Sequence, residues 1–196
     1  MHILLSSGSP RRKELLTLLG VPFEIRVPDI PEIQRTGESP EAFCARISEE
    51  KAHQISRHHP DSVVIGADTV VVIHGKILGK PRDKDQAREF LHMLQDNVHD
   101  VLTGYTVMYQ GKTTTRVIRT SVHFKAMTDE EIAWYIDTGE PMDKAGAYAI
   151  QGVGSFFIDQ IHGSYTNVIG LPVSDLYEDL KGLGLNAVRM KGGVSG

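Results

Sequence analysis

Ile3-Leu4-Leu5-Ser6-Ser7-Gly8-Ser9-Pro10-Arg11-Arg12-Lys13-Glu14-Leu15-Leu16-Thr17-Leu18-Leu19-Gly20 is the stretch on which the fold class turns. Three apolar residues read as a short buried strand, and Lys13 to Leu19 reads as a helix stopped by Gly20. Ser9 suits the helix N-cap. Pro10 suits the first helical position, where its missing N–H costs nothing. A loop of small residues feeding a helix N-terminus presents backbone N–H groups at the positive end of a dipole, and Arg11 and Arg12 add planar forks that match phosphate oxygens. The segment therefore reads as an anion cradle, although a plain capped helix with two solvated arginines fits the same residues.

Working outward, strands and helices alternate. Ser39-Pro40-Glu41 opens a second helix carrying Phe43, Ile47 and Ile55, with Lys51 inside it and an end at His58-His59. Val63 to Ile73 is too β-branched for a comfortable helix and reads as a central strand pair or one long strand. Asp83 and Gln86 form a capping box for a helix presenting Ala87, Phe90, Leu91 and Leu94. Residues 98–125 read as strands turned at Gln110-Gly111-Lys112. Thr128 and Glu131 open another helix, which bears Ile132, Tyr135 and Ile136 and ends at Gly139. Glycine-rich strands are expected from Gly146 to about Gly163, then a helix near Ser174 to Leu180. Residues 191–196 are expected to fray. Without strict βα regularity, the class is α/β with a mixed sheet.

The chain has 196 residues, enough for one domain or two joined lobes with a substantial core. Its 21 basic and 25 acidic residues leave a net charge of -4, so nothing global favours nucleic acid or an acidic membrane. Cys44 is the single cysteine; it excludes an intramolecular disulfide or thiolate cluster, fits a reducing compartment and reads as a small buried residue. No apolar run approaches membrane-spanning length and no cleavable leader is apparent, so the expected location is the cytoplasm.

Asp68 carries the chemistry. It is the only charge in the apolar run from Val63 to Ile73, and an unpaired buried carboxylate costs several kcal/mol unless it is solvated, hydrogen-bonded or bound to a cation. One reading is a bulge or turn from Gly66 to Thr69, with Asp68 bonded to backbone. The other is a carboxylate that binds a divalent metal or takes a proton from water. Glu32, in the proline-punctuated loop after Pro28-Asp29-Ile30-Pro31, can bring a second carboxylate there. Lys80-Pro81-Arg82 and Lys51 offer cations for phosphate, against the plainer reading of solvated charges. Two apparent motifs are rejected. Gly111-Lys112-Thr113 resembles a Walker A ending, but Thr106 stands where its leading glycine belongs; Gly152-Val153-Gly154 lacks the third glycine of a dinucleotide fingerprint. The nine histidines show no paired spacing for structural zinc.

Taken in order, Ser7-Gly8-Ser9-Pro10-Arg11-Arg12, Glu50-Lys51-Ala52, Gly66-Ala67-Asp68-Thr69, Gly79-Lys80-Pro81-Arg82, Asp143-Lys144-Ala145-Gly146-Ala147-Tyr148-Ala149-Ile150-Gln151-Gly152, Gly163-Ser164-Tyr165 and Val168-Ile169-Gly170-Leu171-Pro172 resemble the Maf family of nucleotide pyrophosphatases. The resemblance implies one domain of two lobes over residues 1–190, related to inosine triphosphate pyrophosphatases, with an elongated mixed β-sheet flanked by helices and a cleft between lobes. It implies hydrolysis of a nucleoside triphosphate to the monophosphate and pyrophosphate, dependent on Mg2+ or Mn2+. By the same resemblance Asp68 is the proton acceptor, and Arg11, Thr69 and Gln151 select the base in the combination of the dTTP and UTP branch. A homodimer is also implied. Beside it, the chemistry assigns phosphate to Ser7, Gly8, Ser9, Arg12, Lys51 and Lys80, and metal to Glu32 and Asp68. The family's association with septum inhibition leaves a second reading, a nucleotide-binding regulator of cell division without turnover.

Overall fold

A computed structural model describes residues 2–185; the expected frayed end at 191–196 lies outside them. The strands are β1 (His2–Ser6), β2 (Glu24–Arg26), β3 (Ser62–Ile73), β4 (Lys76–Leu78), β5 (Val98–Tyr109), β6 (Lys112–Phe124) and β7 (Ile158–His162). The helices are α1 (Pro10–Thr17), α2 (Pro40–Ser56), α3 (Lys84–Leu94), α4 (Asp129–Asp137), α5 (Tyr165–Ile169) and α6 (Val173–Gly182). Seven strands form one sheet in the order β2-β1-β3-β5-β6-β7, with β4 paired to β3. β1 runs parallel to β2 and β3, whereas β3 with β4 and β6 with β7 are antiparallel. The expected mixed α/β class is the observed one.

The helix starts follow the local chemistry. Ser9, Ser39, Asp83 and Thr128 are the N-caps of α1 to α4 in turn, each side chain accepting from the backbone N–H three residues on. Thr128 and Glu131 complete a reciprocal capping box. Gln86 does not, because its Oε1 accepts from the Arg82 N–H instead. Gln110 and Gly111, both at positive φ, make the two-residue hairpin between β5 and β6.

The described residues divide into two compact units, the first comprising residues 2–68, 103–117 and 170–185, the second 69–102 and 118–169. In the first, α2 lies on the sheet through Leu4, Ala52, Val64 and Met108. Two glycines permit that approach: a Cβ on Gly66 would stand 2.3 Å from the Ser48 carbonyl oxygen, and one on Gly104 would stand 2.3 Å from that of Cys44. Cys44 is fully buried, as expected. The second unit has its own core, built from Phe90, Leu91 and Leu94 of α3, Ile132, Tyr135 and Ile136 of α4, and Val71, Val101, Val122 and Phe124 of the sheet.

One expected region differs. Residues 146–163 are not a run of strands: 3-10 turns cover Glu140–Asp143, Ala145–Ala147 and Val153–Phe157, and only β7 is extended. Gly146 and Ala147 both take positive φ, which interrupts any ladder.

Candidate active site

Side chains two apart on a strand share a face, and this alternation builds the site. On β3, Val64 packs against Ala52, Gly66 leaves room for the α2 backbone, and Asp68 reaches α2 at Lys51. The Lys51 Nζ donates to Asp68 Oδ1 at 2.8 Å and stands 2.7 Å from Glu32 Oε1. Asp68 and Lys51 are 4% and 6% exposed, while the Glu32 side chain is 53% exposed. β3 continues unbroken through Gly66 to Thr69, so the partner of Asp68 is an ammonium ion and not a local turn.

The loop expected to act as an anion cradle lies in the same unit. Ser6, at the end of β1 and in register with Gly66, donates its hydroxyl to the Lys51 carbonyl oxygen at 2.7 Å, which ties β1 to the lysine's own turn of helix. Ser7 is buried, and its Oγ accepts from the Ser9 N–H at 3.2 Å and from the Arg12 guanidinium at 3.3 Å. Arg12 Nε donates to the Gly170 carbonyl oxygen at 2.8 Å, so the arginine holds the loop and the start of the final segment together. Gly8 is exposed, and an added Cβ would meet only Val27 at an ordinary 3.5 Å; its missing side chain leaves backbone uncovered and is not a packing requirement. Arg11 is half-buried on the first turn of α1.

Burial pushes the Asp68 carboxyl above its ordinary range, Lys51 and Arg12 pull it back, and Glu32 adds to the upward push. Burial also lowers the Arg12 guanidinium, against the attraction of Asp68 and Glu32. A carboxylate raised in this way is a better proton acceptor than an exposed one, and the cations Lys51 and Arg12 oppose that rise.

Glu32 and Asp68 are the carboxylates that could hold a divalent cation. Glu32 and Asp68 aim one oxygen each at a single position, now held by the Lys51 ammonium. Hard cations take oxygen ligands, and Mg2+ in particular is bound by one or two carboxylates with phosphate oxygens and water completing the shell. Among the described residues no cluster of three or more His, Cys, Asp or Glu side chains is placed to hold a metal.

The remaining expected site residues belong to the second unit. Thr69 is half-buried on β3, and Lys80 and Gln151 are exposed. The Gly79 carbonyl oxygen, next to Lys80, accepts from the Gly146 N–H at 3.0 Å. Sequence reasoning missed Glu140. Its carboxylate accepts from Tyr135 Oη at 2.7 Å and from the Val153 and Gly154 N–H groups, each at 2.9 Å. No local signal marks this role, because the loop it holds lies more than ten residues further on. The hydrogen bonds outweigh burial and keep the Glu140 carboxyl below its ordinary range.

The chain is similar to known proteins in fold and in sequence. A solved structure, the Staphylococcus aureus Ham1 protein, shares the fold with a TM-score of 0.53 at 13% identity, over 93% of this chain and 99% of that one. The dTTP/UTP pyrophosphatase of Syntrophus aciditrophicus (strain SB) is 48% identical over 184 residues, covering 93% of this chain and 90% of the relative. The dTTP/UTP pyrophosphatase of Bacillus anthracis (strain CDC 684 / NRRL 3495) is 46% identical over 179 residues, covering 91% and 94%. Residues 2–183, nearly the whole chain, match the Maf-like protein family, and the chain belongs to that family.

Proposed function

We propose that the protein is a nucleoside triphosphate pyrophosphatase that hydrolyses dTTP and UTP to the monophosphate and pyrophosphate. The observation that carries this reading is the buried Asp68 carboxylate, raised in basicity and faced by Lys51 in the unit that holds the Ser7-Gly8-Ser9 cradle and Arg12. The names of the relatives, at 46–48% identity over nearly the full chain, support the substrate class.

In this mechanism a water oxygen attacks the α-phosphorus and the bond to the bridging oxygen of the β-phosphate breaks, releasing pyrophosphate. Asp68 accepts the proton that the water loses. Ser7, Gly8, Ser9 and Arg12 hold phosphate oxygens, with the helix N-terminus and the guanidinium fork opposing their charge. Lys51 and Lys80 supply further positive charge for the triphosphate and the leaving group. Glu32 and Asp68 would hold Mg2+ or Mn2+, which neutralises phosphate charge when bound.

Base choice is assigned to Arg11, Thr69 and Gln151. A glutamine amide both donates and accepts, so Gln151 can donate to O4 and accept from N3–H of uracil or thymine; cytosine reverses that edge. A site built on such bonds rejects a base that leaves its groups unpaired. The same reading takes the protein as a cytoplasmic homodimer that engages neither nucleic acid nor membrane. No helix among the described residues is long and apolar enough to cross a membrane.

The test is a product assay. With Mg2+ or Mn2+, dTTP and UTP should yield pyrophosphate and monophosphate, and Asp68→Asn should lose about 10²- to 10⁴-fold in kcat, the usual worth of a general base, while its circular dichroism stays native. Release of single phosphates, or an undiminished Asp68→Asn variant, overturns the mechanism. Light scattering of the purified protein checks the dimer.

A further inference from the structure

We propose that Glu140 and Tyr135 form a clamp that positions Gln151, so that nucleotide selectivity depends on two side chains that need not touch the base. The inference rests on the assignment of Gln151 to base recognition. Tyr135 lies on α4 and is fully buried, which makes it a fixed reference point in its unit. Its hydroxyl donates to Glu140 Oε1 at 2.7 Å and accepts from the Ala149 N–H at 3.2 Å. The same Oε1 accepts from the Gly154 N–H, and Oε2 accepts from the Val153 N–H, both at 2.9 Å. The backbone is therefore held two residues before Gln151 and two and three residues after it. Between these anchors Gln151 itself is exposed, as a residue that must meet a ligand has to be.

The glycines around the clamp fit this role. A Cβ on Gly152 would fall 1.9 Å from Glu140 Oε2, and one on Gly154 would fall 2.5 Å from the Tyr135 hydroxyl. Neither position tolerates a side chain while the carboxylate and phenol are in place. The sequence Gln151-Gly152-Val153-Gly154 is thus read as a turn shaped to be gripped, which also accounts for a glycine pair with no dinucleotide fingerprint. A carboxylate suits the grip because it only accepts, and three donors point at it. An amide there turns its NH2 toward one of those donors.

The experiment compares kcat/KM for dTTP and dCTP in the wild-type protein, Glu140→Gln, Tyr135→Phe, Gln151→Ala and the double variant Glu140→Gln/Gln151→Ala. Tyr135→Phe keeps the ring that packs beside Phe157 and removes only the hydroxyl, so it serves if Glu140→Gln folds poorly. The expected result is that each clamp variant lowers the dTTP-over-dCTP ratio by about tenfold, the scale of one misplaced hydrogen bond, chiefly through KM. The double variant should be no less selective than Gln151→Ala alone, since the clamp acts through that side chain. A merely structural role would lower both substrates alike and add to the Gln151 effect. If Gln151→Ala changes the ratio while both clamp variants preserve it, the clamp is overturned and the base assignment stands. If Gln151→Ala itself leaves the ratio unchanged, the base assignment fails and the clamp's role in selectivity fails with it.

Discussion

The Lys51 ammonium lies 2.8 Å from Asp68 Oδ1, between a helix and the middle of an apolar strand, with both side chains almost fully buried. Each member makes the other's burial tolerable. A buried pair is costly to desolvate, and breaking it by removing one partner costs more than the pair contributes. In the proposed mechanism the same two side chains supply the base and a cation.

Lys51→Met should therefore destabilise the fold by roughly 3 kcal/mol at neutral pH, because it leaves Asp68 buried against Arg12 alone. Lys51→Met/Asp68→Asn should recover a large part of that loss. Urea unfolding of the single and double variants checks both, and an additive double variant would refute the coupling.

Gly66→Ala should be among the most damaging small substitutions in the chain. The new Cβ would stand 2.3 Å from the Ser48 carbonyl oxygen and 2.8 Å from the Ala52 nitrogen, and backbone cannot swing aside as a flexible side chain does. Overpacking of this kind costs about 1–3 kcal/mol or more. Because α2 carries Lys51, displacement of the helix should also depress activity. Thermal melts with parallel kinetics test this, and a stable, active Gly66→Ala protein would show that α2 is not seated as described.

His99 makes stability pH-dependent. Burial holds its imidazole down to about 3, against an ordinary value near 6.5, and Nδ1 has no hydrogen-bond partner. The unfolded chain thus binds more protons than the native one between those values. Stability is unaffected by His99 above about 6.5 and falls as pH drops below it, by up to about 1.4 kcal/mol per pH unit. In His99→Gln, which cannot take up that proton, the slope of unfolding free energy against pH between 6 and 4 should flatten by a corresponding amount.

The two arginines should separate. Arg12→Ala removes the bonds to Ser7 and Gly170 as well as the proposed phosphate fork, so kcat/KM should fall about 10- to 100-fold for every nucleotide, as expected for lost charge-assisted bonds of 1.5–3 kcal/mol. Arg11→Ala should instead alter the ranking of nucleotides. A panel of dTTP, UTP, dCTP and GTP distinguishes these outcomes, and identical profiles for the two variants would cancel the division.

Much of the fold was legible where it is governed by neighbours in sequence. Ser9-Pro10, Ser39-Pro40, Asp83 and Thr128 start helices because a side chain three residues away from an N–H can cap it. The Val63 to Ile73 run extends because β-branched residues favour the pleated backbone. The three-residue strands β2 and β4 and the five-residue helix α5 escaped notice, since elements so short show no period and β2 and β4 depend on pairing with β1 and β3. The glycine-rich stretch was misread because Gly, Ala and Ile say nothing of a carboxylate that grips the turn from Glu140.

The sequence by itself determined that an acid stands among apolar strand residues, that a capped helix follows a loop of small residues, and that the elements compose a mixed α/β sheet; these follow from local sterics, capping and periodicity. Only the tertiary structure decided what Asp68 meets. That the answer is Lys51, seventeen residues earlier and seated by the absence of a side chain at Gly66, depends on how closely a helix approaches a sheet. Helix-to-sheet distance is a property of packing, and packing joins residues that the chain order keeps apart.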